Sequence, residues 1–204
     1  MSQQRRSRTT VDRVLQAAAV VFAKHGIRGG SIHTIAKRSH VSIGSIYHHF
    51  KSRDGVAVAL YQQQLDRLLA FVGAAYLQAT TAKTALFALV DAYLGWVHAH
   101  PQAARFLFFA GPAELHANQN GALDATKMPR LMPIAARAQA YAQAGWLRPL
   151  PLHVLEVVVV GPVSELARRS LSGAAELVEN EVVEHIKDAI WRSIAVDPTS
   201  DGSI

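Results

Sequence analysis

Apolar residues recur three and four positions apart along most of the chain, which is the spacing of one face of an α-helix. The first such pattern predicts a helix over 10–24 that Gly26 ends, with the apolar positions Val14, Ala17, Ala18, Val21 and Phe22. Two short patterns follow it. They carry Ile32, Ile35 and Ala36 in the first, and Ile46 and Phe50 in the second. The first 50 residues therefore predict three helices.

Longer apolar patterns predict further helices in the rest of the chain. Their predicted ranges are 54–72, 82–100, a short helix from Pro101, 126–144, 152–171 and 174–194. Residues 111–125 lack periodicity and predict a mobile loop. The β-branched run 157–160 keeps helical spacing with its flanks, and no second strand pattern exists to pair with it, so we predict a helix that Pro162 kinks. The predicted fold class is all-α.

The two short helices are joined by a tight turn, which is the pattern of a helix-turn-helix. Ser31 and Ser42 are placed to cap the two helices, and Val41 is the apolar residue that holds them together. This unit lays its second helix in the DNA major groove. The alternative is a buried helical hairpin, but a buried helix as short as the second would not need so many hydroxyl and imidazole groups.

Residues 9–60 resemble the DNA-binding domain of the tetracycline-repressor (TetR) family of transcriptional regulators. The matching segments are Val14-Leu15-Gln16-Ala17-Ala18, Val21-Phe22, His25-Gly26-Ile27, Ser31, Ile35-Ala36, Val41-Ser42, Ile46-Tyr47-His48-His49-Phe50 and Lys51-Ser52-Arg53-Asp54. The chain departs from the family pattern at His40, where the family has Gly, and at Arg53, where it has Lys. Gly suits a left-handed backbone better than His does, whereas Arg53 keeps the positive charge.

The predicted DNA contacts lie on and around the second short helix. Tyr47 and Arg53 are expected to contact phosphates, and Gly44 to let the helix approach the groove closely. The full set of candidate DNA-binding residues is Ser31, Thr34, Ser42, Ile43, Gly44, Ser45, Tyr47, His48 and Arg53. Ser42, Ile43, Ser45 and His48 are the candidates for base edges. Arg28, Lys37 and Arg38 are either backbone contacts or solvated charges.

Charge is distributed unevenly along the 204 residues. Residues 1–55 hold ten Lys or Arg and two Asp, a net charge of 10 − 2 = +8, and the remainder is 11 − 13 = −2. Such an N-terminal excess predicts a polyanion partner; lipid binding or plain solubility are the alternatives, and the helix-turn-helix favours DNA. We predict a helix-turn-helix domain over 1–53, with a disordered arm at 1–8, and a ligand-binding and dimerisation domain over 54–204.

Composition narrows the class of protein further. Half of the residues are hydrophobic, which is ample for a core, and the absence of cysteine excludes disulfides and thiolate metal sites. No signal peptide and no membrane-spanning run is recognised, so we predict a soluble cytoplasmic protein with no membrane partner. The sequence predicts no cofactor.

A single helix-turn-helix reads few base pairs, so a homodimer on a palindromic site is expected. The last two helices carry wide apolar faces, and we predict an interface of Val159, Val163, Leu166, Val182, Ile186 and Ile190. The alternative is that these helices close their own core. The resemblance also implies a small-molecule pocket, for which the candidates are Tyr93, Trp96, Phe109, Met132 and Tyr141.

Metal and enzyme chemistry have weaker support in the sequence. His98 and His100 lie about 200° apart on a helix and cannot share one ion unless the helix ends there, so we interpret these two and His116 as solvated or hydrogen-bonded histidines. There is no phosphate loop and no nucleophile elbow, and Asp91 is expected to pair with Arg137 or Arg105. We predict a repressor released from its operator by a small apolar effector. The alternatives are an effector-independent DNA-binding protein and a helical enzyme.

Overall fold

A computed structural model of the chain describes residues 2–109, 120–173 and 180–202. The helices in these ranges are α1 (Ser2–Gly29), α2 (Ile32–Ser39), α3 (Ile43–Phe50), α4 (Arg53–Gln78), α5 (Ala82–Ala99), α6 (Pro101–Phe109), α7 (Asn120–Gln143), α8 (Leu152–Leu155), a π-helical turn (Glu156–Val160), α9 (Gly161–Leu171) and α10 (Asn180–Ile194). The described ranges contain no β-strand, and the all-α prediction is confirmed.

α1 is longer than predicted at its N-terminal end. It begins at Ser2, so the prediction of a disordered arm over 1–8 is wrong for residues 2–8. The segment QQRR at 3–6 has no helix breaker, and Gln and Arg have good helix propensity, so the helix extends through it. Gly26 breaks the helix with φ 69° and ψ 169°, a conformation open to glycine, and one further turn follows before α2.

The chain turns between α2 and α3 at His40, whose backbone is in the left-handed region. His40 has φ 52° and ψ 37°, and its N–H donates to the carbonyl oxygen of Ala36. Arg13 of α1 donates to the carbonyl oxygens of Ser39 at 2.6 Å and of His40 at 3.1 Å. Since these bonds hold the C-terminal end of α2 to α1, they offset part of the cost of a non-glycine residue at this position.

Side-chain hydrogen bonds hold the start of α5 and the end of α4. Thr81 and Thr84 form a capping box at the start of α5, with both N–H to hydroxyl distances at 3.1 Å. At the C-terminal end of α4, Arg137 of α7 donates to the carbonyl oxygen of Leu77 at 3.3 Å and to that of Ala79, just after the helix, at 2.8 Å. α4 runs to Gln78, six residues beyond its predicted end at residue 72, and Arg137 holds this last part of the helix.

The predicted mobile loop at 111–125 lies partly outside the described residues. Its last residues, 120–125, belong to α7, which therefore starts earlier than the predicted position 126. Pro129 and Pro133 lie inside α7, and α10 is described from Asn180 rather than from the predicted residue 174.

The predicted helix over 152–171 contains a change of helical type. Residues Glu156–Val160 form a π-helical turn, and Pro162 stands in the first turn of α9 directly after it. Proline has no N–H and its ring would collide with the carbonyl four residues earlier in an unbroken α-helix. The wider π turn avoids that collision, so the predicted proline kink takes the form of a π turn before Pro162.

The described residues cluster into two compact units. One contains residues 2–65, 102–109 and 120–123, and the other contains 66–101, 124–173 and 180–202. The first unit therefore includes α4 up to Leu65 and the part of α6 from Gln102, whereas the sequence predicted a domain boundary at residues 53 and 54. None of the described helices combines the length and apolar content that a bilayer span needs.

Candidate nucleic-acid interface and effector cavity

α3 has one buried face and one polar face. Ser42 caps the helix, since its Oγ accepts from the Ser45 N–H at 3.2 Å, and this confirms the predicted cap. Ile46 and Phe50 are buried in the core of the first unit, as predicted. Burial of this apolar side fixes how α3 is rotated about its axis. The polar residues of the helix therefore lie on its outer face.

The candidate base-reading residues are accessible on this outer face. Ser42, Gly44 and His48 are exposed, and Ile43 and Ser45 are half-buried. Tyr47 is 48% exposed, which leaves its hydroxyl accessible at the end of a rigid ring. No neighbouring atom lies within 4 Å of the position that a Cβ would take on Gly44, so its surface is open to close approach by a partner.

Two of the predicted contacts, Ser31 and Thr34, serve the cap of α2. The Thr34 N–H donates to Ser31 Oγ at 3.1 Å, which confirms the predicted cap, and the two hydroxyl oxygens lie 2.9 Å apart. Both residues are exposed. Each hydroxyl can still accept a further hydrogen bond, because an oxygen of this type has two lone pairs.

Arg53 has partners within the protein. Its Nη1 donates to the carbonyl oxygen of Arg28 at 2.9 Å, and its Nε lies 3.1 Å from Asp54 Oδ1. These contacts tie the start of α4 to the end of α1. The guanidinium carries further N–H donors, so a phosphate contact stays a prediction for this residue.

Lys51 is a cation beside the recognition face that the sequence-based selection omits. It closes α3 with φ 67°, and its Nζ donates to the carbonyl oxygen of His48 at 3.1 Å. Lys51 lies within the motif that resembles the family. Its positive charge near the end of the helix expected to enter the groove could have identified it as a candidate DNA contact. Neighbouring His49 is half-buried with its ring 6.2 Å from that of Phe50, which agrees with a packing role.

The second unit contains a partly open apolar cavity of about 120 Å³. Its walls come from α4, α5, α7, α8, the π turn, and the end of α10. They are formed by Leu69, Val72, Tyr76, Ala82, Leu86, Leu89, Tyr93, Leu131, Ile134, Ala135, Ala138, Leu147, Leu152, Leu155, Glu156, Val159, Val160 and Ile194. Glu156 is the one lining residue that carries a formal charge among those described.

Of the five predicted ligand-binding residues, Tyr93 alone lines this cavity. Trp96 and Tyr141 are buried in the core outside its wall. Phe109 is 48% exposed and belongs to the first unit, and Met132 is 53% exposed. Met132 lies about 100° around α7 from Leu131, so it points away from the cavity that Leu131 lines. A ligand contact by any of these four residues stays a prediction that this cavity does not support.

The polar groups at the cavity are few. Glu156 Oε1 lies 3.6 Å from Lys127 Nζ, and both side chains are partly exposed, so this ion pair marks the edge where the cavity meets solvent. Burial raises the pKa of the Tyr76 phenol, which therefore stays protonated and neutral. An occupant of the cavity would meet hydrocarbon almost everywhere else.

Four of the six predicted dimer residues are covered by the chain itself. Val159, Val163, Leu166 and Ile190 are buried within a single protomer. These four residues pack on the core of their own protomer, so any part that they take in a protomer contact stays a prediction. Val182 and Ile186 are only half-buried and keep surface available.

The predicted partners of Asp91 are also corrected. Asp91 Oδ1 lies 2.5 Å from Lys187 Nζ on α10, whereas Arg137 donates to the carbonyl oxygen of Leu77. Lys187 is 4% exposed and also pairs with Glu184 at 2.7 Å. Burial acts to lower the pKa of Lys187, but the hydrogen bonds that its ammonium donates to the two carboxylates outweigh burial, and the pKa is raised. The described residues contain no cluster of three metal-ligating side chains.

Comparison with known proteins agrees with this geometry. Residues 14–60 match the family of bacterial regulatory proteins called the tetR family. UidR of Escherichia coli strain K12, an HTH-type transcriptional regulator, is 34% identical over 67 residues, which are 33% of this chain and 34% of UidR. The match thus spans about a third of that relative's length. The family match over residues 14–60 covers the helix-turn-helix unit.

Solved structures extend the likeness to the rest of the fold. A TetR family transcription regulator from Marinobacter aquaeolei VT8 has a TM-score of 0.75 at 18% identity and covers 95% of this chain and 99% of its own. FadR from Bacillus subtilis, solved in complex with stearoyl-CoA, has a TM-score of 0.69 at 16% identity and covers 87% of this chain and 96% of its own. The tetR-family match is thus confined to residues 14–60, and over the rest of the chain the likeness is one of fold.

Proposed function

We propose that this protein is a sequence-specific transcriptional repressor that binds a palindromic operator as a homodimer and leaves it when a small apolar effector binds. The observation that supports DNA binding most strongly is α3 itself. It is capped by Ser42 and anchored by Ile46 and Phe50, and its outer face presents the half-buried Ser45 and the exposed Tyr47 and His48 within a segment of net charge +8. A rigid polar helix on a cationic unit is what major-groove recognition requires.

Different side chains of this face would have different tasks. The Tyr47 hydroxyl and the Lys51 ammonium suit phosphate oxygens, which set register and affinity without reading sequence. Ser45 and His48 present donors and acceptors that distinguish base edges, and Ile43 can contact a thymine methyl group. Affinity and sequence preference should therefore respond to different substitutions.

The cavity of the second unit supports an apolar effector. A volume of about 120 Å³ is comparable with engineered apolar cavities of about 150 Å³ that take up benzene. In this conformation the site fits a group of that size, either a whole molecule or one end of a longer one. Charged groups are disfavoured inside because almost no lining atom could replace their hydration.

Release from DNA would follow from a shift between two conformations of the dimer. An effector that binds better to a conformation with the wrong spacing of the two α3 helices lowers the population that fits the operator. The half-buried Val182 and Ile186 on α10 are the proposed contact with the second protomer. We place the protein in the cytoplasm, where the DNA is, and propose no enzymatic activity for it, since the relatives it matches are regulators.

The division of tasks on α3 is tested by fluorescence anisotropy with a palindromic duplex and with duplexes altered at single base pairs. Tyr47→Phe should weaken binding to every duplex by a similar factor, whereas Ser45→Ala and His48→Ala should change the order of preference among duplexes. Equal losses on all duplexes for all three variants would contradict the assignment of base readout to α3.

The effector role is tested with benzene and short-chain alkanes as probes. A probe that occupies the cavity should raise the melting temperature, and by linkage the same probe should lower affinity for the operator. A protein that binds the operator with unchanged affinity at a probe concentration that stabilises it would be an effector-independent DNA-binding protein.

A further inference from the structure

The first unit carries a second cationic feature away from the base-reading helix. A groove of about 890 Å³ runs between α1 and α2. It is lined by Arg13, Gln16, Ala17, Val20, Val21, Lys24, His25, Thr34, Lys37, Arg38, Ser39 and His40. Four of these residues are Lys or Arg and two are His, and none of the described lining residues is an Asp or Glu.

The cations of this groove differ in how they are used. Arg13 lines the groove, and its guanidinium donates to the carbonyl oxygens of Ser39 and His40. Lys24, Lys37 and Arg38 are exposed, and among the described residues none of the three forms an ion pair or a side-chain hydrogen bond. Three neighbouring cations without a carboxylate repel one another, and a polyanion in the groove would relieve that repulsion.

The groove is continuous with the candidate DNA interface. Thr34 lines the groove and is also a predicted DNA contact, and His40 lines it two residues before Ser42, the cap of α3. Along α1, the distance from Arg13 to Lys24 is about 16 Å at 1.5 Å per residue. Since phosphates of one DNA strand advance about 3.4 Å each along the helix axis, this length is enough for about three or more of them.

We propose that the groove between α1 and α2 binds the phosphate backbone of operator DNA outside the base pairs that α3 reads. Lys24, Lys37 and Arg38 supply the charge, and Arg13 fixes the position of α2 against α1 by donating to the carbonyl oxygens at the end of α2. The proposal rests on the proposed DNA-binding function, and it adds a contact that lengthens the footprint of each protomer without adding sequence specificity.

The test uses the full-length protein and the triple variant Lys24→Ala, Lys37→Ala and Arg38→Ala. Because the variant removes three cations that would each neutralise a phosphate, the slope of log affinity against log salt concentration should become shallower by about 2 to 3 for each protomer engaged. Lengthening the duplex on both sides of the palindrome should raise the affinity of the unchanged protein and leave that of the variant nearly constant.

Two controls separate the groove from charge in general and from misfolding. Arg192→Ala removes one exposed cation from the last turn of α10 in the other unit and should leave the length dependence intact. A second triple variant with Gln at the three positions keeps much of the side-chain length, and thermal unfolding by circular dichroism reports folding of each protein. Both triple variants should melt near the temperature of the unchanged protein.

The outcomes distinguish this proposal from the one it rests on. If the unchanged protein binds the palindrome and the triple variants keep its salt slope and its gain with duplex length, the groove does not bind DNA, although α3 does. If the unchanged protein binds no duplex in a salt-dependent manner, the proposed function and the groove proposal both fall.

Discussion

Filling the cavity of the second unit should stabilise the protein and abolish its response to effectors. Leu89 lines the cavity and is 7% exposed, so Leu89→Phe would extend the side chain into open space. Filling a cavity of about 120 Å³ is worth at most ~2.9 kcal/mol at ~24 cal/mol per Å³. The three extra carbon atoms give a similar ceiling of ~2.4 kcal/mol at ~0.8 kcal/mol each.

Part of this gain is lost to steric adjustment, so we expect a net stabilisation of about 1 kcal/mol, which corresponds to a rise of about 2 to 4 °C in melting temperature. The matched control is Leu68→Phe. Leu68 is 4% exposed in the same unit but does not line the cavity, so the added ring should cost about 1 to 3 kcal/mol.

The assay is thermal unfolding of both variants and of the unchanged protein, with and without benzene. Leu89→Phe should melt higher than the unchanged protein, show no further rise with benzene, and still bind operator DNA. If Leu89→Phe were destabilised as much as Leu68→Phe, the cavity would be closed in solution and the reasoning from its volume would be refuted.

Three further changes test other parts of the structure. Ser31→Ala removes the cap of α2 and should lower the free energy of unfolding by about 1 kcal/mol in urea titrations, and no change would show that the cap bond contributes nothing. Ile186→Glu should yield monomers by light scattering, because it puts an unpaired charge on the proposed protomer contact; an intact dimer would place that contact elsewhere. Hydrogen bonds from Arg168 and Arg169 lower the pKa of Glu165 to about 2. Its stabilising contribution is therefore present above pH 4.5 and lost as the pH falls toward 2, so Glu165→Gln should destabilise at pH 6 but much less at pH 3; an equal effect at both values would contradict the pairing.

The features that sequence predicted best depend on residues close together in the chain. The caps at Ser31 and Ser42 involve an N–H three residues away, and the break at Gly26 depends on that residue alone. The buried positions Ile46 and Phe50 follow from one helical period. In each case the information lies within a single turn of helix, so no knowledge of tertiary packing was needed.

The features that sequence missed depend on which elements meet in space. An apolar stripe on α9 or α10 looks the same in the sequence whether it faces its own core or a second protomer, so the sequence did not reveal that Val163 and Ile190 are buried within one protomer. Lys187 pairs with Asp91 on a distant helix, and no spacing in the sequence connects the two.

The cavity shows the same limit for ligand sites. Polar or polarizable atoms singled out the candidate residues, yet the walls are mainly Leu, Ile, Val and Ala. A space between helices is a property of how they pack, and aromatic residues such as Tyr141 fill the core instead of lining that space.

The most direct test of the central claim is selection of duplexes from a random library by the purified protein and by its His48→Ala variant. Base readout by α3 predicts that the unchanged protein enriches a palindrome, and that the variant enriches a consensus altered at the same positions of both half-sites. Enrichment of no common sequence, or of an identical consensus by both proteins, would contradict the assignment of α3 as the base-reading helix.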